Sequence, residues 1–186
     1  MMLGALLLAA AVQGAPAAEP AATRTALVHF ADGNTLPLRN WKLSYEFVTW
    51  DKNRNAATGL SARTEADDLW IGKRAFPMSG AVLQVAYAEV RRETLVDGRP
   101  QPIVSSAARE VTVSAGGDTG KFKVEPPDRL FLGGGAPKSA NLIVRSVDLR
   151  GEGITGTRRE VCVLSYSTLV DCGSSPADQV VKVEFH

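Results

Sequence analysis

The stretch WKLSYEFVTW, Trp41 to Trp50, decides the fold class. Trp41, Leu43, Tyr45 and Phe47 occupy every second position, with Lys42, Ser44 and Glu46 between them. Successive side chains of an extended strand point to opposite faces, so this pattern buries one face and hydrates the other. On the N-terminal side, ALVHFADGNTLPL (26–38) reads as two short strands joined through Asp32-Gly33-Asn34, residues that supply the positive φ of a tight turn. At the far end, VVKVEFH (180–186) alternates Val181, Val183 and Phe185 against Lys182 and Glu184.

The middle of the chain repeats the theme. GAVLQVAYAEVRRETLV (80–96) carries alanines and arginines that would suit a helix. Its register through Leu83, Val85 and Tyr87 alternates, however, and it ends at the hairpin signal Asp97-Gly98. REVTVSAGGDTGKFKVEPPDR (109–129) reads as strand, Gly-rich turn, strand and a Pro-Pro break. NLIVRSVDLRGEGITGTRREVCVL (141–164) reads as strand, Gly-rich turn, strand. The sequence therefore predicts an all-β, single-domain antiparallel β-sandwich, with a closed β-barrel as the alternative. No fixed repeat period marks a propeller or solenoid.

Length and composition agree with one domain. The chain has 186 residues, 45% hydrophobic and 22% charged, which are globular values. A net charge of +1 argues against a nucleic-acid binder and a polybasic membrane binder.

The N-terminus MMLGALLLAAAVQGAPAAEPAA carries an apolar run from Met1 to Val12, followed by small residues, Pro16 and Pro20. That run is too short to span a bilayer and has the length of a signal-peptide core, although no Lys or Arg precedes it. Residues 1–22 are expected to be a cleaved signal and short linker, and 23–186 the single all-β domain. No cysteine follows the apolar run, so a lipid-modified cysteine is not expected. The mature chain should be periplasmic or secreted, without a transmembrane helix.

REVCVLSYSTLVDCG (159–173) holds both cysteines, Cys162 and Cys172, with nine residues between them. Redox pairs and structural zinc sites bring cysteines closer, and zinc needs four ligands. As one continuous strand the segment would hold the sulfurs about 33 Å apart. As a hairpin centred on Ser167 it opposes Cys162 to Cys172, although SYST has no Gly, Asn or Pro to mark the turn. An oxidising compartment favours the hairpin, with a Cys162–Cys172 disulfide.

Chemistry-bearing motifs are weak. Asp51, Asn53 and Asn55 open like a calcium loop, but Ala56 and Ala62 stand where Gly and an acid are needed. FLGGGAPKS (131–139) resembles a phosphate loop, but Pro137 removes an amide and a strand-like segment follows. The two histidines, His29 and His186, lie in a probable strand and at the last residue, and Ser79 lacks a nucleophile elbow. The polar stretch Asp51–Asp68 reads as the longest loop, with Glu65, Asp67 and Asp68 as the acids a hydrolase would use. Arg145, Arg150, Arg158 and Arg159, interleaved with Asp148, Glu152 and Glu160, read as cross-strand ion pairs.

The resulting expectation is an exported binding or assembly module without catalytic activity, cofactor or metal. Its partner would be a protein or small molecule in the cell envelope or outside the cell, and not a nucleic acid. The rival expectations are a small carboxylate-dependent hydrolase and a small outer-membrane β-barrel. Against the barrel, 6% aromatic content leaves few residues for interfacial girdles, and ten prolines sit awkwardly in spanning strands.

Overall fold

The computed structural model describes residues 23–51, 56–71, 74–124, 142–165, 172 and 175–186. The expected signal segment 1–22, the phosphate-loop look-alike 131–139 and the centre of the SYST turn lie outside the described residues.

Period-two alternation is realised as strand throughout. In chain order the strands are β1 (Thr25–Phe30), β2 (Thr35–Asp51), β3 (Ala56–Ala66), β4 (Asp68–Ile71), β5 (Arg74–Pro77), β6 (Val82–Val96), β7 (Arg99–Ala115), β8 (Asp118–Val124), β9 (Leu142–Glu152), β10 (Arg158–Ser165) and β11 (Val180–Phe185). Seven of them close on themselves in the order β9-β8-β7-β6-β11-β1-β2 and back to β9. Every pairing among the described residues is antiparallel except β8 with β9. The protein is all-β, and of the two expected arrangements the closed barrel is the one observed. β3 and β10 add to it from outside, on β2 and β9.

Closure depends on β2 and β9, which serve two sheets each. Along one edge, β2 pairs first with β1 (Thr35–Arg39) and then with β3 (Leu43–Asp51), while its other edge follows β9. β9 likewise pairs first with β8 at Ile143–Val144 and then with β10 from Ser146 onward. A strand that changes partners must bend, and both bends are visible in the ladder. The β2–β9 register shifts between Arg39 and Lys42, where Asn40 takes φ +50°. It shifts again between Glu46 and Phe47, opposite Arg145. Such bulges are how a sheet turns a corner. Gly151 sits in the first bend, where a Cβ would come within 3.0 Å of the Arg39 carbonyl.

The inward faces make one apolar core. Trp41, Leu43, Tyr45 and Phe47 are all buried, as the opening stretch predicts. The Trp41 ring meets Phe185 edge-on at 4.7 Å, and its indole N–H donates to the Thr25 carbonyl at 3.1 Å. The small β4–β5 sheet contributes Leu69, Ile71 and Phe76 to the same cluster. At the C-terminus a register shift opposite His29 and Phe30 puts Val180, rather than the expected Val181, into the core with Val183 and Phe185.

The expected long loop at 51–68 is corrected. Ala56–Ala66 is strand β3, hydrogen-bonded to β2, and Asp68 already begins β4. The sequence AATGLSARTEA hides this strand because Ala62–Glu65 are exposed, so no apolar alternation is required. An edge strand of this kind is specified by its backbone ladder with β2 rather than by burial.

Candidate functional site: an outer groove and a projecting hairpin

The outward face of the β3-β2-β9-β10 sheet carries the polar half of the opening pattern. Ser44 and Glu46 of β2 lie across from Asp148 and Ser146 of β9, and Ala62, Arg63 and Thr64 of β3 complete an open groove of about 320 Å³. Most of its charges are already compensated. Arg145 Nη1 lies 2.5 Å from Glu46 Oε1, and Arg150 donates through Nε and Nη2 to Glu160 Oε1 at 3.0 and 2.9 Å. The Arg150–Glu160 pair is a cross-strand ion pair of the kind expected of the arginine-rich segment, whereas Arg145 reaches Glu46 of β2, outside that segment. Arg158 and Arg159 flank them at the start of β10.

Asp148 differs from its neighbours. Burial, followed by the Glu160 charge, pushes its carboxyl above the usual range, against an opposing pull from Arg150. Cys162 faces it on β10. The two cysteines are bonded, with Cα atoms 5.7 Å apart, so the continuous-strand reading of 162–172 is excluded. On the opposite, inward face of this sheet the Tyr45 hydroxyl accepts a hydrogen bond from the Trp70 N–H at 3.0 Å, and burial raises its pKa. This arrangement offers hydroxyls and one acid to a polar ligand, with no imidazole among the lining residues.

The three acids singled out for hydrolysis do not converge on the groove. Asp67 is held by Arg24 and by Lys42 (2.6 Å), and those hydrogen bonds keep its carboxyl below the usual range. Asp68 pairs with Arg63 at 3.3 Å and accepts from the Trp70 indole. Glu65 takes φ +53° at the end of β3. Each is exposed or partly exposed and tied to the local framework. Among the described residues no three His, Cys, Asp or Glu side chains gather as metal ligands would. His29 lies on β1, 3.2 Å from Glu184. His186 is the last residue, yet its backbone exchanges hydrogen bonds with Thr25 at 2.8 and 3.1 Å, so the end of the chain is fixed in the ladder.

A second feature escapes the sequence reading. β11 pairs with β6 only at Val82–Gln84, and β8 pairs with β7 only at Glu110–Ala115. The β6–β7 ladder nevertheless continues from Ala88↔Ala107 to Val96↔Arg99. That is a two-stranded arm about 27 Å long beyond the barrel wall. It turns at Asp97 and Gly98, with φ of +51° and +74°, the signs a type I′ hairpin needs. Leu95 is 72% and Val104 57% exposed. The register puts them on one face with Pro100 and Pro102. Strand lengths of 15 and 17 residues exceed the usual 3–10 and are the signal that could have exposed the arm.

No family model matches the chain, and neither a curated protein nor a solved structure does.

Proposed function

We propose that the chain is an exported, non-catalytic assembly module whose contact element is the β6–β7 arm. One observation carries the reading: a long two-stranded ribbon stands clear of the barrel with apolar side chains exposed at Leu95 and Val104. An isolated two-stranded hairpin is at best marginally stable in water, so such a ribbon gains most from a further strand. Adding a strand to a free sheet edge is a general mode of protein recognition. Export is supported by the apolar leader within residues 1–22 and by the Cys162–Cys172 bond, since disulfides persist in oxidising compartments.

The rival readings draw less support. A carboxylate hydrolase would need a free acid pair, whereas Asp67 and Asp68 are neutralised by neighbouring cations. A membrane barrel would carry its apolar band outside. Here Trp41, Phe47 and Phe185 point inward, while Lys42, Arg150, Glu160 and Lys182 are accessible on the outside.

The test replaces residues 89–106 by Asn-Gly, joining Ala88 to Ala107, a hydrogen-bonded pair, through a type I′ turn. The shortened chain should keep a melting temperature within a few degrees of the parent and lose its crosslinked partners in the native envelope. Unchanged crosslinked products with a folded barrel would overturn the assignment.

A further inference from the structure

The two edges of the arm are not equivalent. In a two-residue type I′ hairpin the flanking pair, Val96 and Arg99, is hydrogen-bonded, and bonded and non-bonded pairs alternate from there. Leu95↔Pro100, Glu93↔Pro102 and Arg91↔Val104 are therefore non-bonded pairs, whose backbone groups point away from the ribbon. On β7 two of those outward positions are prolines, which have no N–H to offer. That edge is blunted in the way natural sheets avoid unwanted pairing. On β6 the outward positions Arg91, Glu93 and Leu95 all retain both donor and acceptor.

Resting on the reading of the arm as the contact element, we infer that its partner is a second copy of this chain. The two copies pair antiparallel along the outer edge of β6, across a two-fold axis at Arg92.

The register follows from charge and space. A two-fold axis perpendicular to the sheet sets residues of like face opposite each other, so the axis passes through a single residue. An axis at Arg91 puts Arg91 on Arg91 and Glu89 on Glu93, like charges at every charged pair, which is destabilising. An axis at Val90 brings Val96 level with Gln84 of the second copy, an edge already taken by Lys182 of β11. An axis at Arg92 brings Val96 level with Ala88 of the second copy, beyond the Val82–Gln84 ladder with β11. It sets Arg91 across from Glu93 of the second copy, and Glu93 across from Arg91 of the second copy. Each of these two pairs exchanges two backbone hydrogen bonds.

Charges on an edge strand often serve to repel other strands. Here opposite signs at 91 and 93 make one register attractive and its neighbour repulsive, which selects a partner rather than refusing all. The Arg92-on-Arg92 contact at the axis is the cost of this arrangement.

The test measures self-association of the purified chain by sedimentation velocity over a wide concentration range. The parent should form a dimer. Glu93→Arg turns two attractive pairs into two repulsive ones and should weaken it roughly 30-fold. Adding Arg91→Glu to Glu93→Arg should restore the affinity to within about threefold, and Arg92→Thr should tighten the dimer by a few-fold. A parent that stays monomeric at all concentrations overturns the inference, as does a dimer indifferent to the Glu93→Arg exchange. If the monomeric parent still loses a different crosslinked envelope protein when residues 89–106 are removed, the assembly reading stands and only the homotypic partner fails.

Discussion

Removing the disulfide by the double substitution Cys162→Ser, Cys172→Ser tests how the outer strand β10 is held. Among the described residues β10 forms a ladder only with β9. The bond closes a loop of sequence separation ten. Constraint of the unfolded chain by a loop of that length contributes about 2.8 kcal/mol. In a domain of this size each kcal/mol moves the melting temperature by about 2–4 °C, so the double variant should melt about 6–11 °C lower. The same drop should follow when the parent is melted in reductant, and the double variant should be insensitive to reductant. Hydrogen exchange locates the effect: amides of Val161 and Leu164 should lose protection well before those of the β1–β11 ladder. An unchanged melting temperature, or a loss spread evenly over all strands, would refute the view that the bond secures an otherwise weakly held strand.

Further outcomes follow from the core and the groove. Trp41→Ala removes a fully buried ring and should cost about 3–5 kcal/mol in chemical denaturation. Trp41→Phe should cost much less, because the Thr25 carbonyl still accepts from the His186 N–H at 2.8 Å. Equal losses would mean that the ring does not pack as described. Asp148 and Asp67 should show opposite pH dependence. Burial raises the folded pKa of Asp148, so its ionised form opposes folding; Asp148→Asn should stabilise at neutral pH, with the gain fading as the pH falls through the raised folded value and gone below the unfolded value near 3.8. Lys42 and Arg24 lower the folded pKa of Asp67, so Asp67→Asn should destabilise at neutral pH and match the parent once acid has protonated the parent's carboxyl. Melting curves from pH 2 to 7 separate the two, and the same sign for both would contradict the assigned environments.

How much was legible in the sequence depends on how much burial each segment carries. Where a strand buries one face, as in Trp41–Phe47, the alternation of side chains states both the element and its inward residues. The hairpin signals at Asp32-Gly33-Asn34 and Asp97-Gly98 likewise correspond to observed turns. β3 was illegible because a ladder with β2 demands nothing of its exposed side chains. Closure into a barrel rather than a sandwich was illegible because it depends on which strands meet across β2 and β9, contacts 93 to 113 residues apart in sequence. The groove is built the same way, from Ser44 and Asp148 of two distant strands, and no local motif announces it. The cysteines were legible through compartment chemistry alone, since SYST carries no Gly, Asn or Pro to mark the turn.

Closing the sheet into a barrel abolishes edges, yet this chain creates them again at β3, at β10 and along the arm. Each is treated differently. β3 presents an eleven-residue strand with the charged Arg63 and Glu65 near its end, and β10 is tethered by a disulfide beside the Arg150–Glu160 pair. On the arm, Pro100 and Pro102 withdraw the donors of β7. On β6, by contrast, Arg91, Glu93 and Leu95 keep backbone donors and acceptors pointing outward, beyond the Val82–Gln84 ladder with β11. Among the described residues, none from 88 to 107 belongs to the buried core. A ribbon that contributes little to the core, costs conformational entropy to order and keeps one edge selectively open is best explained by what it meets.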